Sequence, residues 1–132
     1  MEYGYKKSGA WVFADVIAAA REALAEEGLG VLTEIDVQAT MKKKLNIERE
    51  PYCILGACHP QSAAKALDVE PGIGLLLPCN VVVYQEDDTV TVTAIRPTVA
   101  MGMVDNPALE AIATDIEQKL MRGVDRAAQR LG

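Results

Sequence analysis

Gly72-Ile-Gly-Leu-Leu-Leu-Pro-Cys-Asn-Val-Val-Val-Tyr84 is the centre of the stretch from Tyr52 to Ile95 around which the rest of the chain is organised. It is apolar enough for the middle of a sheet. It is also interrupted at Pro78, Cys79 and Asn80, residues that a plain core strand avoids, because proline cannot donate to a strand ladder. From Leu75 to Tyr84 it reads as the central strand, entered through the turn Pro71-Gly-Ile-Gly74. The polar connection Gln85-Glu-Asp-Asp88 leads to Thr89-Val-Thr-Val-Thr-Ala-Ile95, where threonine alternates with apolar residues as in a half-buried strand. The two strands are expected to form a hairpin.

Upstream, Tyr52 to Cys58 reads as another strand, with Tyr52, Ile54, Gly56 and Cys58 on one side and Cys53, Leu55 and Ala57 on the other. Pro60 suits the first position of a helix running to about Leu67, since no amide hydrogen is needed there. Val31 to Asp36 is a further strand, in which Leu32, Glu34 and Asp36 share a face. Asp36 is placed to cap a short helix whose Val37, Met41 and Leu45 lie four apart, with Lys42, Lys43 and Lys44 turned outward. Asn46 to Pro51 reads as a polar loop.

Nearer the amino terminus, Phe13, Ile17, Ala20 and Leu24 recur at helical spacing to about Glu27, and the glycines of Gly28-Leu-Gly30 stop that helix. Tyr3 and Tyr5 suggest an opening strand over Glu2 to Ser8. Downstream of the hairpin, Met101 and Met103 sit in an adaptable apolar segment. Asn106 and Pro107 announce a last helix striped by Leu109, Ile112, Ala113, Ile116, Leu120 and Val124. No repeat or linker divides the chain. The expected fold is α/β of the α+β type: a single two-layer domain over 1–132, with a mostly antiparallel sheet and helices packed on one face.

The chain has 132 residues, enough to bury a core without disulfide or metal staples. Its formal charge of −6 repels a nucleic-acid backbone, and the lysine run has no interleaved aromatics, so no nucleic-acid partner is expected. No apolar stretch is long enough to span a bilayer, so no membrane partner is expected either. Three cysteines without regular spacing argue against a secreted disulfide framework and for a cytoplasmic location.

Chemistry could reside at Cys58 and Cys79, both beside backbone-interrupting residues at strand ends. A thiolate is a nucleophile or a soft metal ligand, and His59, the one histidine, could add a base or a third ligand. Glu34 or Asp36 could add a carboxylate, and Asn80 could orient a ligand through its amide. Each has a plainer reading: packing for Cys58 and Cys53, a loop or cap for His59, a solvent face for Glu34 and a helix cap for Asp36. No phosphate-binding loop, dinucleotide fingerprint or nucleophile elbow is present.

The segments over 27–36, Pro51-Tyr-Cys-Ile-Leu-Gly-Ala-Cys-His-Pro60 and Gly72 to Tyr84 resemble the bacterial and archaeal family called domain of unknown function 302. The resemblance implies a curved antiparallel sheet against helices, a homodimer and no established activity. Its motifs fall on Glu34, Asp36, Cys58, Pro78, Cys79 and Asn80, whereas family members often carry asparagine at the position of His59.

Three functions follow as expectations. The first is a cytoplasmic homodimer binding a small ligand or soft metal at a cleft near Cys58, Cys79, Asn80 and Glu34, with Cys58 and Cys79 as the metal candidates. The second is a thiol-dependent enzyme with Cys79 as nucleophile. The third is an interaction module in which the thiols only pack. No cofactor follows from the sequence.

Overall fold

The computed structural model describes residues 2–132. The strands are β1 (Gly4–Gly9), β2 (Gly30–Asp36), β3 (Tyr52–Cys58), β4 (Cys79–Glu86) and β5 (Thr89–Ile95). The helices are α1 (Phe13–Glu26), α2 (Val37–Leu45), α3 (Pro60–Val69), the single turn α4 (Pro97–Ala100) and α5 (Ala108–Leu131). All strand pairs are antiparallel, in the order β1-β5-β4-β3-β2.

Register explains where the core sits. Val81 of β4 lies opposite Leu55 of β3 and Ala94 of β5, and Val83 lies opposite Cys53 and Val92. All six are buried, so the alternation turns this one face inward. Val16, Ala20 and Leu24 of α1, with Ile116, Leu120 and Val124 of α5, close over it. Burying each such leucine or isoleucine contributes about 1.5–3 kcal/mol. The two helices approach closely because small residues line their seam: Ala19, Ala23 and Ala127 cluster there, and a Cβ on Gly123 would stand 2.9 Å from Leu24 Cδ2. Outside the seam, Glu27 is held by Arg122 and Arg126, each at 2.9 Å, and Glu26 pairs with Arg130. The Tyr5 hydroxyl donates to Asp125 Oδ1 at 2.6 Å and ties β1 to α5.

The central stretch departs from its sequence reading. Pro71–Leu76 forms a 3-10 helix, and the strand starts only at Cys79, after a cis Leu77–Pro78 bond. Within this helix Ile73 is buried while Leu75 is 92% exposed. The glycines and Pro71 favour a turn over an extended run, and Pro78 has no amide to give a ladder, so pairing begins one residue later. Pro78, Cys79 and Asn80 therefore open a strand instead of interrupting one.

A second departure lies in β2. The register slips between Val31 and Thr33, leaving Leu32 as the extra residue of a β-bulge. Glu34 and Asp36 do share a face, being opposite Leu55 and Cys53, but Leu32 has left their row.

A smaller core of Ala66, Ile73, Met101, Leu109 and Ala113 joins α3, the 3-10 helix and the start of α5. Beside it, the buried Glu117 carboxylate accepts from Thr98 N at 3.0 Å, Thr98 Oγ1 at 2.6 Å and the Arg96 guanidinium at 3.3 Å. The segment carrying Met101 is thereby fixed to α5. No helix among the described residues is long and apolar enough to cross a membrane.

Candidate functional site

The end of the sheet where β3 stops and β4 starts holds a cavity of about 280 Å³. Ala57 and Cys58 close β3, and Leu77, Pro78 and Cys79 lead into β4. Because Ala57 is the direct partner of Cys79, and Cys58 follows Ala57 as the last residue of β3, the antiparallel register brings both thiols to one end of the sheet. The bulged Leu32 forms another wall, Ala63 and Leu67 of α3 a third, and Gly74 of the 3-10 helix and Ile116 of α5 complete the lining. Leu32 and Leu67 are 67% and 44% exposed, which places the mouth of the cavity at the protein surface.

His59 also lines the cavity, and its orientation is set by capping. The opening turn of α3 has amides without an intrahelical acceptor, Pro60 removing one of them, and Ser62 N donates to His59 Nδ1 at 3.3 Å. Ser62 Oγ lies 2.8 Å from the same nitrogen. His59 approaches Gly28, where φ is +80° and a Cβ would stand 3.1 Å from His59 Cδ2. Glycine is needed there for both backbone and space.

The two cavity thiols differ in surroundings. Cys79 is buried and Cys58 is partly exposed. Burial pushes the Cys79 thiol up to about 11, and the nearby Cys58 adds to the rise. Desolvation disfavours the thiolate, so near neutral pH Cys79 is a neutral, soft, weakly polar group. Cys53 lies outside the cavity in the main core, and its thiol is pushed up chiefly by burial, with Glu34 and Asp36 contributing.

The other three residues singled out in the sequence lie elsewhere. Glu34 forms an ion pair with Arg21 of α1 on the helix-covered side of the sheet. Asp36 Oδ1 accepts from Ala39 N at 2.9 Å, the cap of α2. Asn80 is exposed and pairs with Gly56, on the face opposite that of Cys79. The structure thus brings Cys58, His59 and Cys79 together and keeps Glu34, Asp36 and Asn80 out of their cavity. Among the described residues, no group of three or more His, Cys, Asp and Glu side chains is placed to hold a metal ion.

Sequence reasoning missed the apolar walls, Leu32, Ala63, Leu67, Leu77 and Ile116. Ile116 belongs to a helical stripe that is equally readable as core, and Leu32 reaches the cavity only through the bulge, which leaves no signature in the residue pattern.

The sheet, the two covering helices and the thiol-bearing cavity define a small two-layer α/β domain with a cavity at the end of its central strands. The chain belongs to the family described as domain of unknown function DUF302, whose model matches residues 5–127. It is similar to the crystal structure of an uncharacterized conserved protein, DUF302, from Bacillus stearothermophilus. That protein is 35% identical, the likeness covers 96% of this chain and 99% of the other, and the TM-score is 0.90. No curated protein matches the chain.

Proposed function

We propose that the chain is a cytoplasmic, homodimeric binding domain that holds a small ligand in the cavity beside Cys58 and Cys79. The observation that carries this reading is the convergence of two thiols from neighbouring strands in the wall of one surface-opening cavity of about 280 Å³. That volume is near the lower end of ligand sites, which run from about 300 to 1,000 Å³. A soft metal ion is the alternative occupant. Two thiols suit it, but His59 would have to join through Nε2, since Nδ1 is engaged by Ser62. A nucleophilic Cys79 is the weaker reading, because attack needs the thiolate that burial disfavours.

The homodimer is supported by the sheet face turned away from α1 and α5. Ile54 and Val82 are cross-strand partners there, Ile35 beside them is 47% exposed, and the Tyr52 and Tyr84 rings stack with centroids 5.7 Å apart. A second copy laid on this strip would cover apolar area that one chain leaves wet. Three free cysteines accord with a reducing compartment.

Native mass spectrometry of untagged protein purified without chelator, beside Cys79→Ser, tests the reading. Twice the chain mass in both samples, with extra mass on the wild type that Cys79→Ser loses, is the expected result. A bare monomer in both would sink it.

A further inference from the structure

Building on the proposed binding role of this cavity, we infer that its occupant is the neutral, hydrocarbon-like part of a small molecule, held by apolar contact with Cys58 and Cys79 acting as soft walls. Three observations point this way. The lining is alanine, leucine, proline, isoleucine and Gly74 apart from the two thiols and His59, and it contains no Lys, Arg, Asp or Glu. A charged group drawn inside would lose its hydration with no oppositely charged side chain to replace it. In addition, His59 Nδ1 is already occupied, and no buried side-chain nitrogen or oxygen among the described residues lacks a hydrogen-bond partner. The cavity therefore presents no buried side-chain oxygen or nitrogen waiting for a polar ligand.

Size gives the third observation. An apolar cavity of roughly 150 Å³ accepts benzene, so about 280 Å³ suits a group around twice that size. Leu32 and Leu67 at the mouth, with the exposed Leu75 next to Gly74, continue the apolar surface outward. A polar end of the ligand would stay at that mouth in water while the chain or ring enters.

The test is a titration of the full chain with straight-chain primary alcohols from butanol to decanol, followed by amide NMR shifts. Hexanoate and hexylammonium serve as charged counterparts of hexanol. Affinity is expected to rise about fourfold per added methylene until the cavity is full, and then to level off. Shifts should concentrate at Ala57, Ala63, Cys79 and Ile116, and both charged counterparts should bind at least tenfold more weakly than hexanol. Ala63→Leu, which fills part of the wall, should move the plateau to a shorter alcohol while the rest of the spectrum stays folded.

A series with no dependence on length, shifts scattered away from the cavity, or charged ligands that bind as well as hexanol would overturn the inference. A parallel titration with cadmium(II) keeps the two readings apart. If the alcohols fail while one equivalent of cadmium binds and is lost in Cys58→Ser and Cys79→Ser, the cavity remains a binding site and only its apolar ligand class falls. If alcohols and cadmium both fail, both readings fall.

Discussion

Gly56 of β3 lies so close beneath Thr33 of β2 that no side chain fits between them. A Cβ built on Gly56 would meet Thr33 Oγ1 below any contact distance and stand 2.8 Å from Pro78 Cγ. The bulged edge strand, β3 and Pro78, the residue just before β4, are therefore packed over one missing side chain.

Gly56→Ala is accordingly expected to lower stability by about 1–3 kcal/mol, the usual result of overpacking. Adding Thr33→Ala should restore part of the loss, because it removes the nearest obstructing atom. Urea unfolding of the two single variants and the double variant measures the coupling. Strict additivity would show that the contact is not the cause.

The cysteines should react with iodoacetamide in a fixed order. Cys58 is partly exposed and should be alkylated first, while buried Cys53 and Cys79 follow slowly. The Cys79 rate should climb with pH through the range approaching 11, as its thiolate becomes populated. Peptide mapping by mass spectrometry reads this directly. Early labelling of Cys79 at neutral pH would revive the nucleophile reading.

Glu117 should give the protein a specific acid sensitivity. Desolvation acts to raise its pKa, but the Thr98 hydrogen bonds and the Arg96 guanidinium outweigh it and hold the carboxyl below the ordinary 4.5. A group lowered in the folded state takes up protons on unfolding. Its stabilisation is complete above 4.5 and is lost as pH falls through the lowered folded value. Glu117→Gln should therefore be less stable than wild type at neutral pH, by about 1–3 kcal/mol, with the gap narrowing in acid. Thermal melts across this range should converge, and parallel curves would refute the assignment. Glu26 and Asp115 are also lowered, by pairing with Arg130 and Lys119, but at exposed positions where solvent screening leaves little effect.

Glu27 is the member of the α1–α5 ion-pair row that should matter most, since its side chain is 8% exposed and meets two arginines. Glu27→Gln is expected to cost about 1–2 kcal/mol in urea unfolding, discounted for the solvent around Arg122 and Arg126. The loss should shrink at high salt. Glu22→Gln, at a more exposed site, should be nearly silent.

Much of the fold was legible because its signals are local. Threonine alternation marked β5, the stripe from Leu109 to Val124 marked α5, and Asp36 and His59 each cap the helix that follows them. Leu75 to Leu77 was misread because leucine-rich composition does not separate a strand from a turn of helix, and the exposure of Leu75 is set by tertiary packing. At the site, the meeting of Cys58 with Cys79 depends on the β3–β4 register, which the hairpin-like reading of the centre did not fix. Asn80 was grouped with Cys79 by adjacency, yet successive strand residues face opposite sides.

The bulge at Leu32 also governs what the sheet can do beyond its own chain. The two edges, β1 and β2, each present unpaired backbone groups, the usual template for runaway strand addition and fibre growth. Along β2, an incoming strand would lose register at Leu32 and then run beside Glu34 and Asp36. Along β1 it would meet Lys6 and Lys7. Both edges are thus guarded against open-ended strand addition by irregularity or charge.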